Sequence, residues 1–247
     1  MFHESGPDFL RTRYAVRMLL RILPLIAGLL PIAAIHLSYL IAIQAAILPT
    51  CIPYIHGCVS ISATGRYPPA SYLFKAAMMP ETVILVIFWL GSVAWLRALN
   101  RSAGQTRSIG TAIGSFGVAG AFFLILYVTF LGTQEPFYEF MRRFGVYLYF
   151  LFSVIAQVML AVTVLRMPAG TCSPLLIRIT KIQLALALIP FALGILNLVL
   201  KSILEDSDPS ENIIEWIFAL MMQSYFVLSY FSWRETQFTA NFSVRRA

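Results

Sequence analysis

Charged residues are scarce in this chain, and histidine and cysteine are scarcer still. Asp, Glu, Lys and Arg make up 12% of the 247 residues, against roughly 25% in a soluble domain. A three-histidine zinc site would need all three histidines of the chain. The distribution of Lys and Arg places His3 on the opposite side of the membrane from His36 and His56. The sequence also lacks a glycine-rich phosphate loop, an HExxH motif and a nucleophile elbow. It therefore predicts no metal, no cofactor and no recognisable catalytic motif.

Long apolar runs take the place of the missing charge, since 59% of the residues are hydrophobic. Only helices and closed barrels satisfy the backbone in lipid, and the alternating segments of about ten residues that typify a barrel are absent. We therefore predict an all-α polytopic membrane protein, a single domain over residues 1–247 built as a bundle of six transmembrane helices. The first apolar run is too long for a signal-peptide core and is expected to be an uncleaved span. The spans are expected at residues 22–46, 78–98, 109–131, 144–166, 175–200 and 212–233.

Lysine and arginine are unevenly divided between the connections of these spans. Thirteen of the 18 lie on the side that carries both chain ends, and five lie on the other side. The positive-inside rule then places both termini in the cytoplasm. Connections 47–77, 132–143 and 201–211 are expected on the non-cytoplasmic side. The net charge of +7 follows from the cytoplasmic loops and does not indicate nucleic acid as a partner.

Connection 47–77 is polar and rich in Pro, Ser, Thr and Gly, and it carries Cys51 and Cys58. On the non-cytoplasmic side these two cysteines are free to form a disulfide; the alternative is that they are two small apolar residues near a helix end. Several hydroxyl side chains lie near His56 in the sequence, either as ordinary solvated loop residues or as one half of a serine–histidine pair. A polar loop among apolar helices is where we expect specificity to lie.

A few polar side chains fall inside the predicted spans, where they are costly and commonly functional. His36, Glu81, Asn197 and Glu215 all map to the non-cytoplasmic half of the membrane. This bias predicts an outward-facing polar pocket under connection 47–77. His36, Glu81 and Glu215 are then candidates for proton transfer or for binding a polar lipid headgroup.

Simpler interpretations stay open for the same residues. Glu81 directly follows Pro80, and Glu215 lies near the start of a span, so either carboxylate is also explained as an acid at an interfacial helix N-terminus. His36 is also explained as a hydrogen-bonded packing residue. In the third span, Gly110, Gly114 and Gly117 form a small-residue face that allows close helix packing, either within the bundle or as the seam of a homo-oligomer.

Four segments of the chain resemble a known family. They are LSYLIAI at 37–43, PYI at 53–55, ISATGRYPPASYLFK at 61–75 and EWIFALMMQSYFVLSYFSWRETQF at 215–238. Together they resemble the Frag/DRAM/Sfk family, whose members are six-helix membrane proteins with a first loop of the form PxISxTGxxPPExxxF and a last helix that opens with Glu-Trp. The sequence departs from that pattern at Ala63 and Ala70, where many members carry acids, and in an insertion, HGCVS.

The resemblance implies a set of functional positions and a role in lipid biology. The implied residues are Pro53, Tyr54, Ser62, Thr64, Gly65, Pro68, Pro69, Phe74, Glu215 and Trp216. The family includes a Golgi factor that remodels the lipid of GPI anchors and the damage-regulated autophagy modulators.

We therefore expect a protein that acts on or organises membrane lipids, with a membrane lipid or a lipid-anchored protein as its partner. If chemistry occurs, the resemblance implies acyl transfer on a glycolipid, with Glu215 and His36 as the catalytic candidates. The alternatives are a non-catalytic membrane adaptor and, less favoured, a small transporter, which would be expected to show paired broken helices. The expected membrane is that of the Golgi, endoplasmic reticulum or lysosome in a eukaryote, or the inner membrane in a bacterium.

Overall fold

The computed structural model describes residues 7–105, 109–203 and 208–239, with side chains from Leu20 onwards except at position 198. Across these ranges the regular structure is helical. The helices are α1 (Pro7–Gln44), α2 (Pro53–His56), α3 (Ile61–Thr64), α4 (Ala70–Ser102), α5 (Gly110–Thr129), α6 (Pro136–Leu165), α7 (Pro174–Ile203) and α8 (Asp208–Glu235). Six helices in the described part of the chain are long and apolar enough to cross a membrane, α1 from Leu20 onwards and α4 to α8. The predicted all-α architecture with six spans is confirmed.

Two of the observed helices begin about eight residues earlier than the hydropathy pattern predicts. α4 begins at Ala70 and continues through Pro80. A proline inside a membrane helix is tolerated because neighbouring groups compensate for the lost hydrogen bond. α6 begins with Pro136 in its first turn, a position where the missing N–H of proline costs nothing. Both extensions carry polar residues, which hydropathy assigns to loops although they continue the helix.

The early start of α4 corrects one interpretation. Glu81 lies about three turns inside the helix and its side chain is fully buried. It is therefore not an acid at an interfacial helix N-terminus, as its position after Pro80 suggested.

The six long helices form a closed ring around a packed interior. Going round the ring, α4, α5, α6, α7, α8 and α1 each contact the next, and α1 closes against α4. Aromatic side chains from α4 and α8 fill much of the interior, with the Phe88 ring centroid 5.0 Å from that of Phe226 and 5.7 Å from that of Trp233. Aromatic pairs at such distances stabilise by about 0.5–1.5 kcal/mol beyond their buried area.

The glycine face of α5 packs against α4 within the chain. A Cβ atom added at Gly114 would lie 2.8 Å from Val93 Cγ2, and one added at Gly117 would collide with the Trp89 ring. A seam between two chains at Gly114 and Gly117 would therefore have to displace α4.

We expect Gly117→Val to destabilise the bundle by about 1–3 kcal/mol, because the new side chain overlaps the buried Trp89 ring. Gly194→Val is the matched control, since a Cβ at that position of α7 meets no atom of the described side chains within 4 Å. Thermal unfolding of the two detergent-purified variants measures the difference. Equal melting temperatures for both variants would contradict the tight α4–α5 contact.

Candidate functional site

Two short helices and a disulfide shape the first loop, residues 45–69. The sulfur atoms of Cys51 and Cys58 are bonded, and their Cα atoms lie 6.7 Å apart. Between them α2 ends at Gly57, whose φ of +59° is a left-handed conformation that glycine adopts without strain. Ser60 then caps the N-terminus of α3, because its Oγ accepts a hydrogen bond from Ala63 N at 3.2 Å.

The start of α8 binds the first loop through three side chains on one face. Their partners are backbone groups of alternate loop residues. The bonds are Asn212 Nδ2 to Gly57 O at 2.7 Å, Trp216 Nε1 to Val59 O at 2.8 Å and Ile61 N to Glu215 Oε2 at 3.2 Å. Glu215 lies two turns inside α8 and is half-buried. Its carboxylate therefore serves the backbone of the first loop and not the N-terminus of its own helix.

The end of α1 holds the beginning of the same loop. The hydroxyl of Tyr39, a buried residue, accepts a hydrogen bond from Cys51 N at 3.1 Å. It also donates to the Pro49 carbonyl at 2.9 Å. One phenol thus satisfies two backbone groups of a turn that has no helix or sheet to satisfy them.

His36 lies between α1, α2 and α8 in an aromatic cluster. Its ring stacks on Tyr54, with centroids 5.9 Å apart, and meets Trp216 edge-on at 5.4 Å. Nδ1 lies 2.7 Å from the carbonyl of Ile32 and must donate to it, so in the neutral ring Nε2 accepts from the Tyr54 hydroxyl at 3.0 Å. Burial raises the pKa of Tyr54, which keeps this hydroxyl protonated and able to donate at neutral pH.

Ser62 connects the first loop to α5. Its Oγ lies 3.2 Å from the Tyr127 hydroxyl on α5. Arg142 on α6, only 9% exposed, is near enough to act electrostatically on both Tyr127 and Glu215. We call four of the polar side chains at this end of the bundle the outer cluster: Ser62, Tyr127, Arg142 and Glu215. Arg142 also forms an ion pair with Glu139, at 3.4 Å.

The remaining loop positions singled out by the family motif have structural contacts. Thr64 Oγ1 donates to Ile61 O at 2.7 Å. Gly65 lies against the Phe74 ring, which leaves no room for a Cβ atom. The peptide bond between Pro68 and Pro69 is cis and leads directly into α4.

Little free space remains under the first loop. The crevice between α1, α2, α3 and α8 has a volume of about 10 Å³, which is close to the minimum for one water molecule. It is lined by Ile32, Ile35, His36, Tyr54, Ile61, Trp216, Ala219, Leu220 and Gln223. The predicted outward-facing pocket is therefore filled in this conformation, because the loop packs directly on the polar residues that it was expected to roof.

Two of the candidate residues lie away from this crevice. Glu81 is fully buried in α4, and no described residue hydrogen-bonds either carboxylate oxygen. Asn197 is half-buried in α7, and its Oδ1 has no partner in the described part of the chain. No described hydrogen bond joins Glu81 or Asn197 to the first loop. The other candidates come together at that loop: His36, Tyr54, Ser62, Glu215 and Trp216.

Four residues of the site did not stand out as site residues in the sequence: Tyr39, Tyr127, Arg142 and Asn212. Asn212 precedes Trp216 by one helical turn, so the face shared by the two residues was a usable signal. Tyr39 and Tyr127 gave only the pattern of interfacial aromatic residues, which many membrane helices share.

The structure defines a multi-pass integral membrane protein whose first loop is bound to the start of its last helix. A model of the Frag1/DRAM/Sfk1/Cwh43P N-terminal domain matches residues 19–236. The chain belongs to this family, which confirms the resemblance seen in its motifs. No curated protein and no solved structure matches the chain.

We expect Asn212→Ala to loosen the first loop, because it removes the hydrogen bond to the Gly57 carbonyl and leaves that group unpaired. The expected cost is about 1–2 kcal/mol, seen as faster hydrogen exchange of the amides of residues 57–61. Asn197→Ala is the matched control, since no hydrogen bond among the described residues joins the Asn197 side chain to this loop. Unchanged exchange in Asn212→Ala would show that this bond does not hold the loop.

We expect Glu81→Leu to stabilise the protein, because it removes a buried carboxyl group that has no partner among the described residues. The gain should be about 1–3 kcal/mol, measured by thermal unfolding. Glu135→Leu, at an exposed acid before α6, should change stability by less than about 0.5 kcal/mol. A clear loss of stability in Glu81→Leu would mean that the carboxyl group binds something in the membrane-embedded protein.

Proposed function

We propose that this protein recognises a polar membrane lipid at its first loop and acts on or organises such lipids in the membrane. The observation that carries the proposal is the direct bonding of this loop to the outer cluster. A loop fixed by α1 and α8 at the border of the membrane is placed to contact headgroups. Membership of the family supports the proposal, since the resemblance implies remodelling of GPI-anchor or glycolipid acyl chains.

The outer cluster has the chemistry that a phosphorylated or glycosylated headgroup requires. Arg142 supplies a guanidinium group, which is suited to phosphate oxygens. The hydroxyls of Ser62 and Tyr127 and the carboxylate of Glu215 are suited to sugar hydroxyls. The Trp216 indole is 1% exposed and packs edge-on against the rings of His36 and Tyr54, so it would meet a headgroup only after the loop moves.

Lipid binding at this site requires the first loop to move. The crevice of about 10 Å³ is far smaller than the 300 Å³ or more of common ligand sites. The bonds from Asn212, Glu215 and Trp216 hold the loop closed. A lipid headgroup would therefore compete with the loop backbone for the same side chains.

The closed geometry supports recognition more than proton transfer. Glu215 accepts a hydrogen bond from Ile61 N, and both nitrogens of His36 already have partners. Among the described residues no hydrogen bond joins His36 to Glu215. Acyl transfer with these two residues as acid and base would need the loop to release both.

The second candidate function is a non-catalytic adaptor of the autophagy-modulator type, and the small crevice is the observation that favours it. In that case the packed loop would present a fixed surface to a partner protein. A lipid-remodelling role fits the Golgi or endoplasmic reticulum, and an adaptor role fits the lysosome.

Lipid analysis of cells that lack the protein tests these alternatives, with re-expression of the wild type, Glu215→Ala, Glu215→Gln and Glu135→Gln. Under the proposal the loss alters the lipid profile, and the wild type and the exposed-site control Glu135→Gln restore it. Glu215→Gln should also restore it, because an amide oxygen still accepts the Ile61 hydrogen bond. Glu215→Ala should fail.

Two other outcomes of the lipid analysis would support a different function. Failure of Glu215→Gln at normal protein levels, together with failure of His36→Ala, would support acid–base chemistry. An unaltered lipid profile in cells that lack the protein would refute the proposal and favour the adaptor.

A further inference from the structure

A second recess lies at the opposite end of the bundle from the first loop, where the start of α7 and the end of α8 meet α1. Its volume is about 1120 Å³. It is lined by Arg21, Leu175, Ile179, Leu228, Phe231, Arg234, Glu235, Gln237 and Thr239. We call this recess the basal groove.

The groove follows from the order of the helices in the ring. α8 separates α1 from α7, so its surface forms the floor and the two neighbouring helices form the walls. Ser173, just before α7, donates from Oγ to Glu235 Oε1 at 2.7 Å and accepts a hydrogen bond from Leu176 N. The bond between Ser173 and Glu235 ties the end of α8 to the start of α7.

Four of the nine residues that line the groove are apolar. Leu228 and Phe231 of α8 and Leu175 and Ile179 of α7 line it, and Phe231 and Leu175 are 42% and 52% exposed. A groove with such walls at membrane depth fills with hydrocarbon, because apolar surface there meets acyl chains and not water.

The mouth of the groove carries positive charge. Arg21 and Arg234 are both exposed, and neither forms an ion pair within the described part of the chain. The carboxylate of Glu235 accepts a hydrogen bond from Ser173 and keeps its negative charge, so these three side chains together carry a net charge of +1. By the positive-inside count this end of the bundle is cytoplasmic, where the leaflet carries anionic lipids.

We propose that the basal groove binds one anionic phospholipid. Its phosphate lies between the guanidinium groups of Arg21 and Arg234, which pair well with phosphate oxygens. Its acyl chains lie along Leu228, Phe231 and Ile179. The site is on the other side of the membrane from the first loop and does not depend on the proposed function.

The test is native mass spectrometry of the full-length protein, released from nanodiscs that contain phosphatidylserine or phosphatidylcholine alone. The wild type should retain one phosphatidylserine and release phosphatidylcholine. R21Q/R234Q should weaken retention of phosphatidylserine by about thirtyfold. The control R97Q/R101Q removes two exposed arginines at the end of α4, on the same side of the membrane as the groove. It should retain phosphatidylserine like the wild type.

A second variant tests the apolar walls without a change of charge. Leu228→Trp should reduce retention of phosphatidylserine by filling the groove, and matching thermal unfolding would show that each variant is folded. An equal loss of phosphatidylserine retention in R21Q/R234Q and R97Q/R101Q would overturn the proposal, because general surface charge would then explain the binding. It would also be overturned by equal retention of phosphatidylcholine, or by a wild type that retains no lipid because another segment of the chain fills the groove.

Discussion

The contact between α8 and its neighbours is the interaction on which the rest of this structure depends. In a membrane the hydrophobic effect does not hold helices together, so packing and interhelical hydrogen bonds must. α8 supplies such bonds along most of its length. Gln223 Nε2 donates to Tyr149 on α6 at 3.2 Å, and Gln183 of α7 donates to Ser229 Oγ at 2.9 Å. Gln223 lies two turns along α8 from Trp216, on the face that binds the first loop, so the order of the loop and the assembly of the bundle have a common origin.

This arrangement explains how much the sequence could predict. Hydropathy predicts the number of spans because the bilayer imposes a minimum length on every apolar run. It does not predict where α4 and α6 begin, because their first turns leave the apolar region while the backbone continues as helix. Glu81 shows the consequence: an error of about two turns in the start of α4 turns an interfacial acid into a buried one.

The site could be predicted only in part for a similar reason. The motif residues Tyr54, Ser62, Glu215 and Trp216 do converge with His36, but Glu215 and Trp216 bind backbone atoms far away in the sequence. Trp216 binds the carbonyl of Val59 across 157 positions. No periodic pattern encodes a contact of that kind, which depends on how the loop folds after α1 and α8 have packed.

The energetics of the first loop constrain what the site can do. Opening the loop would break the bonds from Asn212, Glu215 and Trp216, at roughly 0.5–1.5 kcal/mol each and more for the carboxylate. A ligand can shift this equilibrium only through its preference for the open state. The same movement would free the Glu215 carboxylate and release Tyr54 from His36 together. The closed loop therefore keeps both acid–base candidates, Glu215 and His36, bonded to other groups. Ligand binding and any chemistry would share a single opening step.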